Sequence, residues 1–174
     1  VEDSARHSAG VFRMRQRRQE NGEFVSPESS ERVGRFRVAV ATERIALAEQ
    51  LRESEDLYRA LTSALDQGFC IIEVAFDDQD RPVDYRFLDV NPAFAGQTGL
   101  ADAAGKSMRG LRPEHESFWF ETYGEIALTG KARRFAHEAA ALGRWFAVHA
   151  FRVGRPDQRR VAVLFEDVTA RKET

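Results

Sequence analysis

The stretch FLDVNPAFAGQTGL, residues 87–100, brings together a strand end, a helix start and a helix stop. Its first residues close an alternating apolar segment, which predicts a strand over 82–90. The pair Asn91-Pro92 predicts a helix start, because asparagine is a favoured N-cap and proline fits the first helical position. Gly99 predicts the end of that short helix.

Another strand is expected before this stretch, because GFCIIEVAF at 68–76 is apolar and rich in β-branched residues. The DDQD sequence at 77–80 has the composition of a turn and offers too few ligands for a calcium loop. The two strands are therefore expected to form a hairpin. Cys70, in the first strand, is expected to be a small buried residue.

The residues after the stretch predict two further helices and three further strands. A short helix is expected over 101–108, and a longer one over 114–128 that ends at Gly130. Strands are predicted over 132–140, 144–153 and 160–167. Two strands, several helices and then three strands favour an α+β fold with an antiparallel sheet and helices on one face.

Both faces of the last two predicted strands are mainly apolar. In 144–153, Trp145 and Phe151 fall on one face, while Phe146 and Val148 fall on the other. A sheet with one solvated face would alternate apolar and polar residues. The second face therefore needs a cover, and the preceding helix and a second subunit are both available.

Residues 31–66 lack proline and predict one amphipathic helix, whose apolar residues recur at alternating spacings of four and three. This spacing is typical of a coiled-coil seam. The seam consists of Val40, Leu47, Leu51, Tyr58, Leu61 and Leu65, with Arg44 and Ser54 as its polar positions. We expect it to form a homodimer; packing of the helix on its own domain is the alternative.

Residues 1–30 are expected to be irregular or to form the tail of a preceding domain. A basic cluster within them consists of Arg13, Arg15, Arg17 and Arg18. No aromatic residue is interleaved with these arginines, so a solvated charge run is favoured over a site for an anionic partner. The start at Val1 rather than at a methionine indicates a piece of a longer chain.

The composition argues against several classes of protein. The 174 residues carry 26 Lys and Arg against 28 Asp and Glu, a net charge of −2, which disfavours a nucleic-acid partner. No apolar run approaches the ~20 residues that cross a bilayer, so no membrane insertion is expected. A single cysteine excludes a disulfide framework and favours a reducing compartment, so we expect a cytoplasmic location.

No constellation of catalytic or metal-ligating residues is visible in the sequence. The four histidines are dispersed, and neither an HExxH metal motif nor a glycine-rich phosphate loop is present. An enzyme needs a nucleophile with its base or a pair of carboxylates. We therefore predict no catalytic residue, no metal site and no enzymatic activity.

The stretch 87–100, with the following Gly105-Lys106, resembles the early part of a PAS (S-box) sensory domain. The sequence FEDVTARK at 165–172 resembles the end of such domains, where the last strand leaves into an outgoing helix. The resemblance covers about 57–172. It implies a five-stranded antiparallel sheet with helices on one face, and a sensory or dimerising module within a larger signalling protein such as a histidine kinase or a cyclic-di-GMP enzyme.

The resemblance divides the chain into a sensory domain at 67–169 and the start of an outgoing linker helix at 170–174. It also implies that a signal relay to a covalently linked output domain runs through Asp167, Val168 and Thr169. From the residues themselves, Thr169 is expected to be the N-cap of the outgoing helix. Asp167 is expected to favour the positive helix end or to pair with Arg171.

Some PAS domains bind flavin or haem. The flavin-binding members carry an Asn-Cys-Arg motif, whereas 106–111 here reads KSMRGL, without cysteine. In the haem-binding members the axial histidine would fall nearer Trp119 than His115, so His115 is expected at the surface or at the helix start. No cofactor is predicted, and haem or a small apolar ligand stays open.

A set of five apolar residues, four of them aromatic, could either line an internal pocket for a small apolar or aromatic ligand or fill the core. It consists of Phe87, Phe94, Phe120, Tyr123 and Val148. Polar atoms of Tyr123 and Trp145 directed inward would favour a ligand. The sequence thus favours a sensory and dimerising module, with a haem- or other cofactor-binding sensor as the alternative and a small α+β enzyme as the less favoured third.

Overall fold

Helix α1 is the first element of the computed structural model, which describes residues 26–173. It spans Pro27–Ala64. Ser26 caps its start, because the Ser26 hydroxyl accepts the Ser29 N–H at 3.2 Å and proline occupies the first helical position. The helix therefore begins before the expected start at residue 31. It also ends before Leu65, which lies outside it.

The chain divides between Glu53 and Ser54 into two compact units. The described part of the first unit is helical, and α1 contains no buried side chain. The second unit holds the end of α1 and all the elements that follow. The predicted cluster of Arg13, Arg15, Arg17 and Arg18 lies outside the described residues.

Five strands form one antiparallel sheet in the order β2-β1-β5-β4-β3. The strands are β1 (Gly68–Phe76), β2 (Pro82–Val90), β3 (Arg133–Ala139), β4 (Arg144–Val153) and β5 (Arg160–Asp167). The first and last strands are neighbours, with Gly68 opposite Phe165 and Cys70 opposite Val163. The predicted five-stranded antiparallel sheet is confirmed, and the chain enters and leaves it on adjacent strands.

The turn between β1 and β2 is organised by the carboxylate of Asp77. Its Oδ1 accepts the backbone N–H groups of Gln79 and Arg81, both at 2.9 Å, and its Oδ2 lies 3.0 Å from Arg81 Nε. These hydrogen bonds hold the pKa of Asp77 below its ordinary value, the Arg81 N–H contributing most. The DDQD segment is therefore a turn that satisfies its own backbone, as predicted.

Three helices follow β2: α2 (Ala93–Thr98), α3 (Met108–Leu111) and α4 (Ser117–Thr129). Gly99 and Gly130 end α2 and α4 with positive φ angles of 77° and 74°, a conformation that glycine adopts without strain. Both predicted helix stops are confirmed. A short helix, α5 (Thr169–Glu173), follows β5.

The helix expected over 101–108 is wrong for most of its length, since only Met108 belongs to a helix. The preceding residues are held against β2: Phe87 donates its N–H to the Lys106 carbonyl at 3.0 Å, and Gly105 donates to the Phe87 carbonyl at 2.7 Å. Backbone groups engaged with a strand are not available for helical hydrogen bonds. Helix α3 then starts with a cap, the Ser107 hydroxyl accepting the Gly110 N–H at 3.1 Å.

The expected role of Asn91 as a side-chain N-cap is also wrong. Its Oδ1 accepts the Phe69 N–H at 2.9 Å, and its Nδ2 donates to the carbonyls of Thr62 and Gln67 at 2.9 and 3.0 Å. Asn91 is buried, and every hydrogen bond of its side chain goes to the junction between α1 and β1. The side chain thus joins two segments that are distant in sequence, which a local pattern does not reveal.

The hydrophobic core lies on one face of the sheet. Inward-facing residues of the three central strands alternate along each strand, and α2, α3 and α4 add large side chains. The largest fully buried side chains are Phe120, Ile72, Met108, Ile126, Val161 and Val163. On the other face, the β4 residues Trp145, Ala147, His149, Phe151 and Val153 are half-buried. What covers that face stays a prediction.

Candidate functional site

The core of the second unit contains a cavity of about 50 Å³. Four of the five residues predicted to line a pocket do line it: Phe87, Phe94, Tyr123 and Val148. Tyr85, His115 and Trp119 add polar groups to the wall, and Cys70 adds its buried thiol. A liquid water molecule occupies ~30 Å³, so the cavity has room for one or two waters or for a molecule of a few atoms.

Phe120 does not line the cavity, in contrast to the prediction. It is 1% exposed, and its ring packs on Tyr85 and His115 at centroid distances of 5.2 and 5.5 Å. The guanidinium of Arg109 lies 4.1 Å from the Phe120 ring centroid. Trp145 does not line the cavity either, because it lies on the opposite face of β4, with Lys172 Nζ 5.1 Å from its ring centroid.

Polar groups gather at one end of the cavity. His115 is 6% exposed, stacks on Trp119 at 5.8 Å, and places Nε2 at 3.3 Å from the Tyr85 hydroxyl. Burial lowers the pKa of His115 from 6.5 to about 4, although Glu116 opposes this shift. The ring is therefore neutral near pH 7, and its 3.5 Å contact with Glu116 is not an ion pair at that pH.

Three buried polar atoms at this end lack a hydrogen-bond partner among residues 26–173: Trp119 Nε1, His115 Nδ1 and Glu116 Oε2, the last two being 3.5 Å apart. Buried polar groups of this kind are usually satisfied by protein or by ordered water. Burial raises the pKa values of Tyr85 and Tyr123 well above their usual range, so both hydroxyls stay protonated. The cavity wall thus has several neutral polar groups and no fixed charge.

The cavity does not fit a flavin or a haem. Pockets for ligands of that size have volumes of ~300–1,000 Å³, several times that of this cavity. The 106–111 segment contains no cysteine, and burial raises the pKa of the Cys70 thiol on β1. His115, which was expected at the surface or the helix start, precedes α4 but is buried, and its Nε2 faces the Tyr85 hydroxyl.

The predicted relay residues form a compact joint between β5 and α5. Asp167 Oδ1 accepts the Thr169 N–H at 2.9 Å and the Thr169 hydroxyl at 2.5 Å. The same hydroxyl oxygen accepts the Trp145 N–H at 2.9 Å, and Val168 donates its N–H to the Trp145 carbonyl at 2.8 Å. All three relay residues are therefore brought together, and they connect the outgoing helix to the start of β4.

Two details of the joint differ from the prediction. The Thr169 hydroxyl does not cap α5, because its hydrogen bonds go to Asp167 and to Trp145. The cation beside Asp167 is Arg144, at 3.8 Å, whereas Arg171 lies 3.4 Å from Glu166. Partial burial raises the pKa of Asp167, but the Thr169 hydrogen bonds and Arg144 outweigh it, and the pKa lies below its ordinary value.

The six apolar seam residues do not share one environment. Leu47, Leu51 and Leu61 are 57–61% exposed on α1, while Val40 is half-buried. Tyr58 is half-buried, and its ring meets Phe69 edge-on at 6.1 Å. Burial and the neighbouring Asp89 raise the Tyr58 pKa. Leu65 lies outside the helix. Tyr58 is therefore engaged by its own unit, and a self-associating seam stays a prediction for the remaining helical positions.

Sequence reasoning missed Tyr85 and the burial of His115, two of the three residues that give the cavity its polar end. Tyr85 lies in phase with Phe87 on β2, so the alternation of that strand placed it on the same face. His115 carried no comparable signal, because it lies between Pro113 and the first residue of α4. Its burial depends on the packing of Trp119 and Tyr85 around it.

For residues 26–173, the structure can be compared with two expectations, that of no metal site and that of no membrane insertion. Among residues 26–173, no group of three or more histidine, cysteine or acidic side chains is arranged to hold a metal ion. In the same range, every helix is too short or too polar to span a bilayer.

Comparisons with known proteins give a likeness in fold. No family model and no curated protein matches the chain. Among solved structures, the chain is similar to the PAS domain of an HTR-like protein from Haloarcula marismortui, with 16% identity and a TM-score of 0.48 over 70% of this chain and 98% of that one.

Two further solved structures have comparable likeness. A sensory box sensor histidine kinase from Vibrio cholerae has 15% identity and a TM-score of 0.42 over 70% of this chain and 95% of that one. An RNA-binding Light-Oxygen-Voltage receptor has 18% identity and a TM-score of 0.49 over 68% of this chain. This chain spans only 34% of the length of that receptor. These likenesses concern the fold alone.

Proposed function

We propose that this chain is a sensory and dimerising module of a larger signalling protein, which passes a conformational change to a covalently linked output domain. The module itself carries out no catalysis in this proposal. The single cysteine is buried and unpaired, which suits a reducing compartment, and we place the module in the cytoplasm.

The joint at Asp167, Val168 and Thr169 is the observation that carries the proposal. Its hydrogen bonds tie the first residue of α5 both to the end of β5 and to the start of β4. A displacement of either strand therefore changes the position from which α5 leaves the sheet. Such a joint converts a shift within the sheet into a rotation or a loosening of the outgoing helix.

The experiment requires an output, so the domain is joined after residue 173 to a histidine-kinase transmitter in helical phase. Asp167→Ala and Thr169→Ala should each change kinase activity by severalfold. Loss of one side-chain hydrogen bond of the joint costs ~0.5–1.5 kcal/mol, so the melting temperature should fall by only a few degrees. Asp157→Ala is the matched control, because Asp157 lies on an exposed turn beside Arg155. Unchanged activity in both joint variants would contradict the relay.

A second candidate function, direct sensing of a small ligand, is favoured by the cavity at His115 and Trp119. Its volume suits a neutral molecule of a few atoms, and its wall offers the unpartnered Trp119 Nε1. Xenon under pressure is a suitable probe, detected by chemical-shift changes of the cavity methyl groups. Val148→Phe should abolish these changes by filling the cavity, whereas Val153→Phe on the opposite face of β4 should not. Identical shifts in all three proteins would reject a ligand cavity.

The alternative of a cofactor-binding sensor has a separate test. The purified chain is expected to have no visible absorption band, because the cavity does not fit flavin or haem. A haem band that forms on reconstitution and disappears in His115→Ala would reverse this expectation. Native mass spectrometry of the same sample would report oligomeric state and retained ligand together.

A further inference from the structure

One side chain, Gln97, connects the segment by which the chain enters the sheet to the segment by which it leaves. Gln97 is half-buried in the last turn of α2. Its Nε2 donates to the Asp66 carbonyl at 3.2 Å, and its Oε1 accepts the Asp167 N–H at 2.7 Å. Asp66 lies between α1 and β1, and Asp167 is the last residue of β5.

The backbone of Gln97 is fixed from a second direction. Arg144 donates from Nη1 to the carbonyls of Gly96 and Gln97 at 2.8 and 2.5 Å, and its Nε lies 3.8 Å from the Asp167 carboxylate. These carbonyls belong to the C-terminal turn of α2, where unpaired carbonyls favour a cation. The end of α2 is therefore held to the relay joint by a side chain and by a charge.

The start of α2 is held to the incoming segment as well. Asn91, two residues before the first residue of α2, binds the carbonyls of Thr62 and Gln67 through its Nδ2. Helix α2 thus has a carboxamide at each end, and both carboxamides reach the junction of α1 with β1. Only the carboxamide of Gln97 also reaches the outgoing strand, through Asp167.

We propose that Gln97 is a positioning residue that couples the end of α1 to the start of α5, by a route through α2 that runs parallel to the pairing of β1 with β5. The proposal rests on the relay proposed above. The chemistry requires a group with a donor and an acceptor at its tip, because one partner is a carbonyl and the other an N–H. Glutamate keeps the acceptor and loses the donor, while leucine loses both at similar size.

The test perturbs the incoming end and measures the outgoing end in the chain as it stands. Ser63→Gly, at an exposed position in the last turn of α1, loosens that turn. Glycine in a helix is ~1 kcal/mol less favourable than alanine and serine ranks between them, so this substitution favours opening by up to about fivefold. Amide hydrogen exchange is followed by NMR at Val168 and Thr169. Neither amide donates to Gln97, so the substitutions at 97 do not remove their partners.

We expect Ser63→Gly to accelerate exchange at Val168 and Thr169 about two- to fivefold in the otherwise unchanged chain. The acceleration should disappear in Gln97→Leu and in Gln97→Glu, because both lack the bond to Asp66. Gln158→Leu is the matched control: Gln158 is also a hydrogen-bonded glutamine, accepting the Arg155 N–H at 2.9 Å, but within a separate turn. In this control background the acceleration should persist.

Two outcomes would overturn the proposal: no acceleration in the unchanged background, or full acceleration in Gln97→Leu, which would assign the coupling to the sheet alone. Exchange at the β4 amides reports whether each variant is folded, and Gln97→Glu serves if Gln97→Leu is not. The kinase fusion is not used here. Failure of the Gln97 coupling is therefore distinguishable from failure of the relay, which the Asp167 and Thr169 variants test.

Discussion

Helix α1 leaves most of its apolar residues exposed, whereas the sheet unit, which comprises β1–β5 and α2–α5, buries most of its own. Along Pro27–Ala64 no side chain is buried, and Leu47 and Leu51 are 57% and 61% exposed. In the sheet unit, Ile72, Ile126 and Val161 are fully buried. Helices in proteins gain most of their stability from packing of an apolar face. The contrast indicates that the sheet unit has its own core, whereas a partner surface for the seam of α1 stays a prediction.

The largest expected effect comes from breaking the seam of α1. The double variant Leu47→Asp, Leu51→Asp should be a monomer by light scattering at concentrations where the unchanged chain is a dimer. Each buried leucine contributes ~1.5–3 kcal/mol, so the four in a dimer correspond to association that is weaker by roughly ten-thousandfold or more. Helical ellipticity should fall together with the molecular mass.

The control for the seam places the same charges elsewhere on α1. Val38 and Ile45 are exposed and lie off the four-three spacing, so Val38→Asp, Ile45→Asp should stay dimeric. A monomeric unchanged chain at high micromolar concentration would reject the seam. Dissociation by the control pair to the same degree would instead move the interface to another face of the helix.

The next largest effect tests the independence of the sheet core. Ile72→Ala should lower the free energy of unfolding by ~2–5 kcal/mol, because it leaves a cavity in a packed interior. The melting temperature followed by tryptophan fluorescence should fall by ~5–20 °C. Both tryptophans, Trp119 and Trp145, lie in the sheet unit, so this signal reports on that unit alone.

The matched truncation in the helix is Leu47→Ala. Because Leu47 is exposed, it should change the fluorescence melting temperature by no more than ~2 °C. An equal fall in both variants would contradict the comparison, since it would mean that the sheet unit depends on the helix for its stability.

The same contrast explains which features could be predicted from the sequence. Strand alternation and apolar, β-branched composition are local signals, and they placed the strands 68–76, 82–90, 144–153 and 160–167 with the bounds that the structure has. Glycine at 99 and 130 was equally informative, because glycine adopts the left-handed conformation of a helix end without strain.

The side-chain partners could not be predicted in this way. Asn91 was predicted to be a helix N-cap because of its residue type, but its side chain instead hydrogen-bonds to the backbone of Thr62, Gln67 and Phe69. Arg144, which accompanies Asp167, is distant from it in sequence but adjacent across the sheet. Choices of this kind depend on tertiary neighbours, since several partners compete for one polar group. Phe120 differed from the predicted cavity residues, since its ring packs against Arg109 and Tyr85 and does not line the cavity.

A third prediction concerns pH and is confined to the sheet unit. Burial lowers the pKa of His115 to about 4 in the folded chain, against 6.5 when exposed, so between these values the unfolded chain binds more protons. Stability should therefore fall as the pH drops from 6.5 to 4, by about 3 kcal/mol from this group. His115→Gln should remove that part of the slope in urea unfolding curves.

Tyr85→Phe tests whether the Tyr85 hydroxyl, rather than burial, causes this pH dependence. Burial, not the Tyr85 hydroxyl, is the main cause of the low pKa, so this variant should keep the pH dependence. Asp167 acts in a different pH range. Because its pKa is lowered in the folded chain, its carboxylate stabilises the fold above pH 3.8, the ordinary pKa value, and this stabilisation is lost as the pH falls below 3.8. A slope that is unchanged in His115→Gln would mean that the ring is protonated or exposed in the folded chain.

The smallest expected effect concerns α5, which resembles α1 in burying no side chain but is docked by other means. Lys172 Nζ lies 5.1 Å from the centroid of Trp145, and the N–H groups of Arg171 and Lys172 point to the Val168 carbonyl. A cation over a half-buried indole at the protein surface contributes about 1 kcal/mol. Lys172→Gln should therefore change tryptophan emission and accelerate amide exchange in α5 by no more than about fivefold, without altering the fluorescence melting temperature.

Arg171→Gln removes the same charge beside Glu166 and should leave the emission unchanged. If both variants alter the emission equally, net charge rather than the contact between Lys172 and Trp145 holds α5. The position of α5, like the predicted seam of α1, would then depend on a partner outside this chain.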